Sequence, residues 1–171
     1  MSDAMPNLGE LSHIKDNDKD FLLRVVQPGL AGLMDGSVST LAPIFATAFA
    51  THNSHTVFLI GAAAAVGAGI SMAFSEGLSD DGELTGRGNP IFRGLVTGAM
   101  TFMGGFLHTL PFLIHNVHVA LMWAYLVVGL ELLVIAFIRY KYFKTSFVLS
   151  VVQVIVGGGL VFAAGVLIGS S

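Results

Sequence analysis

Five apolar stretches, each long enough to cross the roughly 30 Å of hydrocarbon in a bilayer, follow a polar segment at the start of the chain. They lie near residues 25–50, 57–78, 92–114, 118–138 and 146–168. Inside a bilayer the backbone finds no water, so a stretch of this length spans it as a helix with internal hydrogen bonds. The sequence therefore predicts an all-α membrane protein with five transmembrane helices. It has a polar tail over 1–23 and a membrane domain over 24–171.

Composition excludes several other classes of protein. Charged residues make up 11% of the chain, against about 25% in soluble domains. Because there is no cysteine, a disulfide framework and a zinc–thiolate site are excluded. The formal net charge of −3 is too small to indicate a nucleic-acid partner. The P-loop, His-Glu-x-x-His and Gly-x-Ser-x-Gly motifs do not occur, so the chain is not predicted to be an enzyme.

The positive charges are distributed so unevenly that they define an orientation. With five spans, all eight fall on the side of the N-terminus, and the opposite loops, 51–55 and 115–118, contain none. Lysine and arginine concentrate in cytoplasmic loops. The sequence therefore predicts a cytoplasmic N-terminus, a cytoplasmic loop over 79–91 and a C-terminus outside. The eight residues are Lys15, Lys19, Arg24, Arg87, Arg93, Arg139, Lys141 and Lys144.

One carboxylate, Asp35, lies within the first span, where an ionised side chain costs roughly 2.5–3.5 kcal/mol on insertion scales. Its helical face carries small residues, and bulky residues lie broadly opposite. We therefore expect Asp35 to face protein or enclosed water. Pro28 and Pro43 predict interruptions of this helix, and Pro43 has no backbone donor for the carbonyl of Ser39. The small residues are Ala31, Gly32, Ser39, Ala42 and Ala46, and the bulky ones are Val26, Leu30, Leu33, Leu41 and Ile44.

The second and third spans also have a small or polar face. In the second, Met72 and Glu76 share one row, and the bulky row Val66, Ile70 and Phe74 lies nearly opposite. We expect the bulky row to face lipid and three helices to turn faces with an ionisable residue toward a common interior. The stripe in the third span is Gly94, Thr97, Thr101, Gly104, Gly105, His108 and His115.

Asp35, Met72 and Glu76 form a candidate metal path. Carboxylate oxygens together with a thioether make a borderline-soft ligand set, which favours late divalent metals such as ferrous iron over magnesium or calcium. Burial between helices favours the protonated form of a carboxylate, so protons compete with the metal. The alternatives are a structural carboxylate at Asp35, core packing at Met72 and a surface-reaching side chain at Glu76.

Two further groups of residues are candidates for supporting roles. His108 and Glu131 are candidates for a proton relay or a second metal site, with a structural hydrogen bond as the alternative for each. In the loop after the second span, an acidic group is a candidate for a cytoplasmic entrance that attracts cations, with a solvated acidic loop as the alternative. The acidic group is Asp80, Asp81 and Glu83.

The chain resembles the vacuolar iron transporter family. The stretch "MDGSVSTL" (34–41) is similar to that family's Asp-Gly start of the first span, and "SMAFSEGLS" (71–79) is similar to its second-span motif. The stretches "VVQPGLAGLMDGSVSTLAP" (25–43), "GAGISMAFSEGLSDDGELTGRG" (67–88) and "AAGVLIGS" (163–170) are closest to the membrane domain of bacterial membrane-bound ferritins. The resemblance covers nearly everything after residue 23.

The resemblance implies a five-helix homodimer in the bacterial cytoplasmic (inner) membrane. It implies export of ferrous iron, or of manganese, in exchange for protons and without a permanently bound cofactor. It assigns Asp35 and Met72 to a translocation path between two subunits and Glu76 to the cytoplasmic mouth.

The chain also departs from the family pattern. The cytosolic metal-capturing domain of plant-type relatives is replaced by the short loop "DDGELTGRGNP" (80–90). About 23 polar residues stand where membrane-bound ferritins carry their iron-binding domain. A separate ferritin-like iron donor is therefore a candidate partner. The alternative function is a non-transporting membrane anchor or partner subunit for a ferritin-like iron protein.

Overall fold

The computed structural model describes residues 18–83, 85–143 and 145–171, and the regular structure in these ranges is helical. Residues 1–17 of the predicted tail, with Lys15, and also Lys144 lie outside the described residues. A π-helical turn, Leu22–Val26, precedes α1, and a 3-10 turn, Leu110–Leu113, follows α4. The helices are α1 (Gln27–Ser39), α2 (Leu41–Thr51), α3 (Ser54–Gly77), α4 (Pro90–Leu107), α5 (Val117–Phe143) and α6 (Phe147–Gly169).

The first span is one helical segment, Asp18–Thr51, that is interrupted at Thr40 between α1 and α2. Pro43 lies three residues beyond the interruption, and its ring nitrogen has no proton to donate to the preceding turn. The Thr40 hydroxyl donates to the carbonyl oxygen of Gly36 at 2.8 Å. Back-bonding of this kind often accompanies a bend in a helix. The interruption predicted from Pro43 is confirmed.

Helix α4 lies between α1 and α3 and packs closely on both. A Cβ added at Gly98 would lie 2.6 Å from the carbonyl oxygen of Gly69, and one added at Gly94 would lie 2.5 Å from that of Ala73. Higher numbers in α4 therefore meet lower numbers in α3, so the two helices are antiparallel. On its other side α4 runs parallel to α1, because a Cβ at Gly32 would meet the Thr97 carbonyl oxygen and one at Gly36 would meet that of Thr101, so the numbers rise together along the two helices.

Helices α5 and α6 complete the bundle against α2. Phe45 of α2 stacks on Tyr125 of α5 with ring centroids 5.2 Å apart and meets the edge of Phe162 of α6 at 4.9 Å. Phe21, before α1, contacts Tyr142 near the end of α5, so α5 is antiparallel to the first span. The chain direction thus alternates from one helical segment to the next. The segments near 18–24, 78–89 and 143–147 are called the N-terminal end of the bundle below.

Four of the helical segments are long and apolar enough to cross a membrane by length and composition. They are Asp18–Thr51, Ser54–Gly77, Val117–Phe143 and Phe147–Gly169. Helix α4 is not among them. Its 18 residues include a buried stripe of glycine, threonine and arginine, and these residue types lower the mean hydropathy of the helix. The stripe can be polar because α1 and α3 enclose it.

The exposed faces correct one sequence-based expectation. The bulky row of α3 is exposed, with Phe74 at 65%, and the stripe of α4 is buried from Gly94 to His108, as expected. His115 is exposed instead. In α1 the prediction that the face with Asp35 points into the bundle is wrong for the single chain. The bulky residues Leu30 and Leu33 are buried, whereas the face around Asp35 lies outward. The leucines pack on α4, α5 and α6, which leaves Ala31, Asp35 and Ser39 toward the surface of the bundle. Gly32, on the same predicted face, is buried against the α4 backbone.

Replacing Gly98 by alanine is expected to destabilise the bundle by about 1–3 kcal/mol, because the new methyl group would overlap the α3 backbone. The matched control is Gly129→Ala in α5, where an added Cβ meets nothing within 4 Å and alanine is the better helix former. Thermal unfolding in detergent would measure both. Equal midpoints for the two variants would contradict the close packing of α3 on α4.

Candidate functional site

Asp35 lies on α1, one turn before the interruption at Thr40, and its side chain is half-buried. Its helical neighbours on the same face, Ala31 and Ser39, are exposed. Alanine and serine side chains are too small to cover the Asp35 carboxylate, which therefore lies at the surface of the bundle and not in its core. The next residue, Gly36, packs against the backbone of Thr101, which fixes the rotation of α1 that turns Asp35 outward.

Met72 and Glu76 lie one turn apart on α3 and are both half-buried. The side of α3 next to this row is uncovered: Gly67 and Ser71 are exposed, and a Cβ at Gly67 would meet nothing within 4 Å. Helices α1 and α3 also contact each other. The predicted metal ligands Asp35 and Met72 therefore lie on adjacent helices, each on a half-exposed face.

Glu76 takes part in a network of ion pairs at the N-terminal end of the bundle. Its Oε1 atom accepts hydrogen bonds from Arg87 at 2.7 Å and from Arg93 at 3.0 Å. The same two arginines reach Asp80, Arg93 at 2.8 Å and Arg87 at 3.4 Å. Each guanidinium thus bridges both carboxylates, and the four formal charges sum to zero. We call these four residues the arginine–carboxylate ring.

Arg93 is fully buried, at 0% exposure, in the first turn of α4. A buried guanidinium requires partners of opposite charge, because an unpaired charge in the interior is strongly destabilising. The side-chain oxygen of Asn89 caps the same helix end by accepting from the backbone N–H groups of Ile91 and Phe92. Cap and ring together hold the start of α4 against the end of α3.

Sequence analysis missed both arginines of the ring. A signal was present in Arg93, which lies inside the predicted third span, since a charge at that depth needs a partner. Of the three predicted entrance residues, Asp80 belongs to the ring and Asp81 and Glu83 do not. Asp81 is exposed and accepts from the backbone N–H of Glu83.

His108 and Glu131 form a second, fully buried pair. His108 Nδ1 lies 3.0 Å from Glu131 Oε2, and His108 Nε2 lies 2.7 Å from the Thr40 hydroxyl. His108 is 0% exposed and Glu131 is 6% exposed. Sequence reasoning found no polar face on α5 to explain Glu131, because its partner lies 23 residues away on another helix. The structure therefore joins two separately predicted residues into one pair.

The hydrogen bonds connect this pair to the interruption of the first span. The Thr40 hydroxyl donates to the Gly36 oxygen and lies within hydrogen-bond distance of His108 Nε2. His108 therefore lies between Thr40 and Glu131 in a chain of buried polar contacts that links the first, third and fourth spans.

Three histidines line a cavity of about 430 Å³ at the end of the bundle opposite the ring. His52 lies in the turn between α2 and α3, His55 lies in the first turn of α3, and His115 lies in the turn before α5. Among the residues that the structure describes, histidine, aspartate and glutamate side chains do not form a group of three close enough to hold a metal ion.

Comparison with known proteins connects this architecture to a family. The model of the VIT family, the vacuolar iron transporters, matches residues 75–170, which is more than half of the chain. The chain belongs to the VIT family. Neither a curated protein nor a solved structure matches it. Membership makes it a membrane protein of iron or manganese transport rather than an enzyme.

The matched region contains part of the site. Glu76 and the rest of the arginine–carboxylate ring fall within residues 75–170, as do His108 and Glu131. Asp35 and Met72 precede it, so their role as metal ligands stays a prediction.

The ring is expected to stabilise the fold in a pH-dependent way. Hydrogen bonding from Arg93 holds the pKa of Asp80 below its ordinary value of 3.8. An ionised group with a lowered pKa stabilises the fold above its unfolded pKa, and this stabilisation is lost as pH falls through the folded value. The wild type should therefore exceed Asp80→Asn in melting temperature by a constant margin from about pH 5 to pH 8, and the margin should begin to shrink near about pH 4 and disappear only once the pH is below the lowered pKa of the folded state.

Melting temperature in detergent across this pH range would measure the margin. The control is Asp81→Asn, an exposed carboxylate outside the ring, which should show no such margin. Equal melting temperatures for the wild type and Asp80→Asn at pH 7 would contradict the role of the ring in stability.

Proposed function

We propose that this VIT-family chain exports ferrous iron, with manganese as a second cargo, from the cytosol in exchange for protons. Asp35 carries the proposal: it is a carboxylate within a membrane span, half-exposed, on a face of small residues. An ionisable side chain inside a span generally marks an ion pathway or a proton relay. The transported metal and the proton are substrates, and no permanently bound cofactor is part of the proposal.

The proposed path runs between two copies of the chain. Small residues let helices approach closely in a membrane, and the uncovered faces of α1 and α3 are built from them. Ala31 and Ser39 flank Asp35, and Gly67 and Ser71 precede Met72. A second copy on this surface would remove Asp35 from lipid and bring two carboxylates and two thioethers toward one axis. This is the mixed ligand set that suits ferrous iron and manganese better than magnesium.

The proposed orientation places the arginine–carboxylate ring on the cytosolic side of a bacterial cytoplasmic membrane. The cations Arg24, Arg87 and Lys141 lie at this end of the bundle, in agreement with the positive-inside distribution. Glu76 then belongs to the cytoplasmic mouth, and Asp80, Asp81 and Glu83 belong to the entrance. A ferritin-like protein that delivers iron to this mouth is the proposed partner.

The proposed proton carrier is the His108–Glu131 pair. The pair connects through the Thr40 hydroxyl to Gly36, the residue that follows Asp35. A change in where its proton lies would change the hydrogen bond at the interruption between α1 and α2. Metal at Asp35 and the proton at Glu131 would thereby act on the same turn of helix.

Asp35→Asn is expected to abolish metal flux while leaving the fold intact, because the amide keeps the size of the carboxylate but has no negative charge for a cation. Uptake of ferrous iron or manganese into proteoliposomes, with an internal pH dye, would measure it. Asp18→Asn, an exposed carboxylate at the start of the helical segment, is the matched control and should transport normally. Full flux in Asp35→Asn would contradict the proposal. A folded wild type without flux under any pH gradient would favour the non-transporting partner subunit.

Glu131→Gln is expected to uncouple metal movement from protons, since the amide cannot exchange the proton that the pair is proposed to carry. The steady-state metal ratio across the membrane should then change by less than about twofold per unit of imposed pH gradient, whereas that of the coupled wild type should change by about tenfold per pH unit for each proton exchanged. His118→Gln, an exposed histidine at the opposite end of α5 from Arg139, is the control. Wild-type proton movement per metal ion in Glu131→Gln would assign the pair a purely structural role.

A further inference from the structure

The arginine–carboxylate ring has a consequence for how a metal reaches Glu76 and Asp80. Both carboxylates lie at the proposed cytosolic mouth, and both are bound by guanidinium groups. A carboxylate that is neutralised by arginine has little affinity for a second cation, because the four charges of the ring already sum to zero. A divalent cation that joined the complete ring would raise its net charge to +2.

The two arginines are held very differently. Arg93 is fully buried and forms two short hydrogen bonds, at 3.0 Å and 2.8 Å. The Arg87 side chain is 20% exposed and forms one short bond to Glu76 and one of 3.4 Å to Asp80. Removing Arg93 would leave two partly buried carboxylates without an internal counter-charge. The Arg87 side chain, in contrast, borders the solvent. Arg87 is therefore the exchangeable member of the ring.

The backbone around Arg87 permits its displacement. Gly86 and Gly88 flank it with φ of 67° and 69°, a left-handed conformation in which glycine moves at little steric cost. A Cβ at Gly86 would meet nothing within 4 Å. In the described part of the chain one nitrogen of each guanidinium, Nε of Arg87 and Nη1 of Arg93, is buried without a hydrogen-bond partner, so the ring is incompletely satisfied. A partly satisfied network is weaker than a complete one.

We infer that Arg87 is a built-in competitor of the transported metal, which must displace its guanidinium from Glu76 and Asp80 to enter the path. This inference rests on the proposed function, since it assigns these carboxylates to the entrance. Once Arg87 has left, Arg93 and the two carboxylates carry a net charge of −1, and a cation is attracted. Arg87 is thus a positioning residue that sets the threshold concentration for metal. Arg93 keeps the carboxylates in place throughout.

The test is Arg87→Gln, which removes the competing charge. The apparent KM for manganese or ferrous iron in proteoliposomes should fall by about twofold to fivefold, the range that a partly exposed ion pair accounts for. The maximal rate should not rise, because tighter binding does not speed release. Arg139→Gln is the matched control: it lies near the end of α5 at the same end of the bundle and bonds Gln153 instead. Its KM should equal that of the wild type.

Two further experiments test the inference if Arg87→Gln folds poorly or if the wild type does not transport. The first uses the variant Arg87→Lys, and the second measures metal binding at equilibrium. Lysine keeps the charge but has no planar fork to bridge two carboxylates, so its KM should lie between those of the other two proteins. Equilibrium binding of Mn²⁺, measured from the electron paramagnetic resonance signal of the free ion, should tighten in Arg87→Gln by the same factor. An unchanged or weaker affinity would overturn the inference. Wild-type protein that binds Mn²⁺ but shows no flux would refute the transport function alone.

Discussion

The close packing of α4 between α1 and α3 is the interaction on which the rest of the structure depends. Glycines on all three helices let the backbones approach closely. Within α4, Gly94 and Gly98 pack against the backbone of α3, and Gly104 packs against the backbone of α1. In a membrane there is little hydrophobic gain from bringing helices together, and van der Waals contact between small residues takes its place. This contact determines the height and rotation of α4. It therefore places Arg93 beside Glu76 at one end and His108 beside Thr40 further along.

The same constraint sorts the polar side chains by depth. At the N-terminal end, where water is near, four charged residues form a ring of full ion pairs. Further in, His108 and Glu131 face each other as one buried hydrogen-bonded pair. An ion pair in hydrocarbon has to overcome the loss of hydration of both partners, whereas an acid and a base that face only each other can also be neutral. In the proposed function the deeper pair carries the proton and the shallower ring exchanges cations.

Much of the fold and part of the site could be predicted from the sequence. The five helices follow from the lengths of the apolar stretches, and the interruption of the first follows from Pro43, because both signals are local. The pairing of His108 with Glu131 and the ring around Glu76 could not be predicted, since each joins residues on different helices whose relative height depends on α4. The face of Asp35 was misjudged for a related reason. A row of small residues marks close packing, but it does not tell whether the partner is in the same chain or in another.

Three carboxylates lie within the predicted spans, and their surroundings separate them. Glu76 faces two guanidinium groups, and Glu131 faces the imidazole of His108 at hydrogen-bond distance. Asp35 has no ion pair among the described residues, and its small neighbours Ala31 and Ser39 are uncovered. A charge inside a bilayer is stable only with a partner or a proton. A bundle that neutralises the other two carboxylates internally therefore leaves Asp35 as the one whose partner has to come from outside the chain, either as a proton or as a cation.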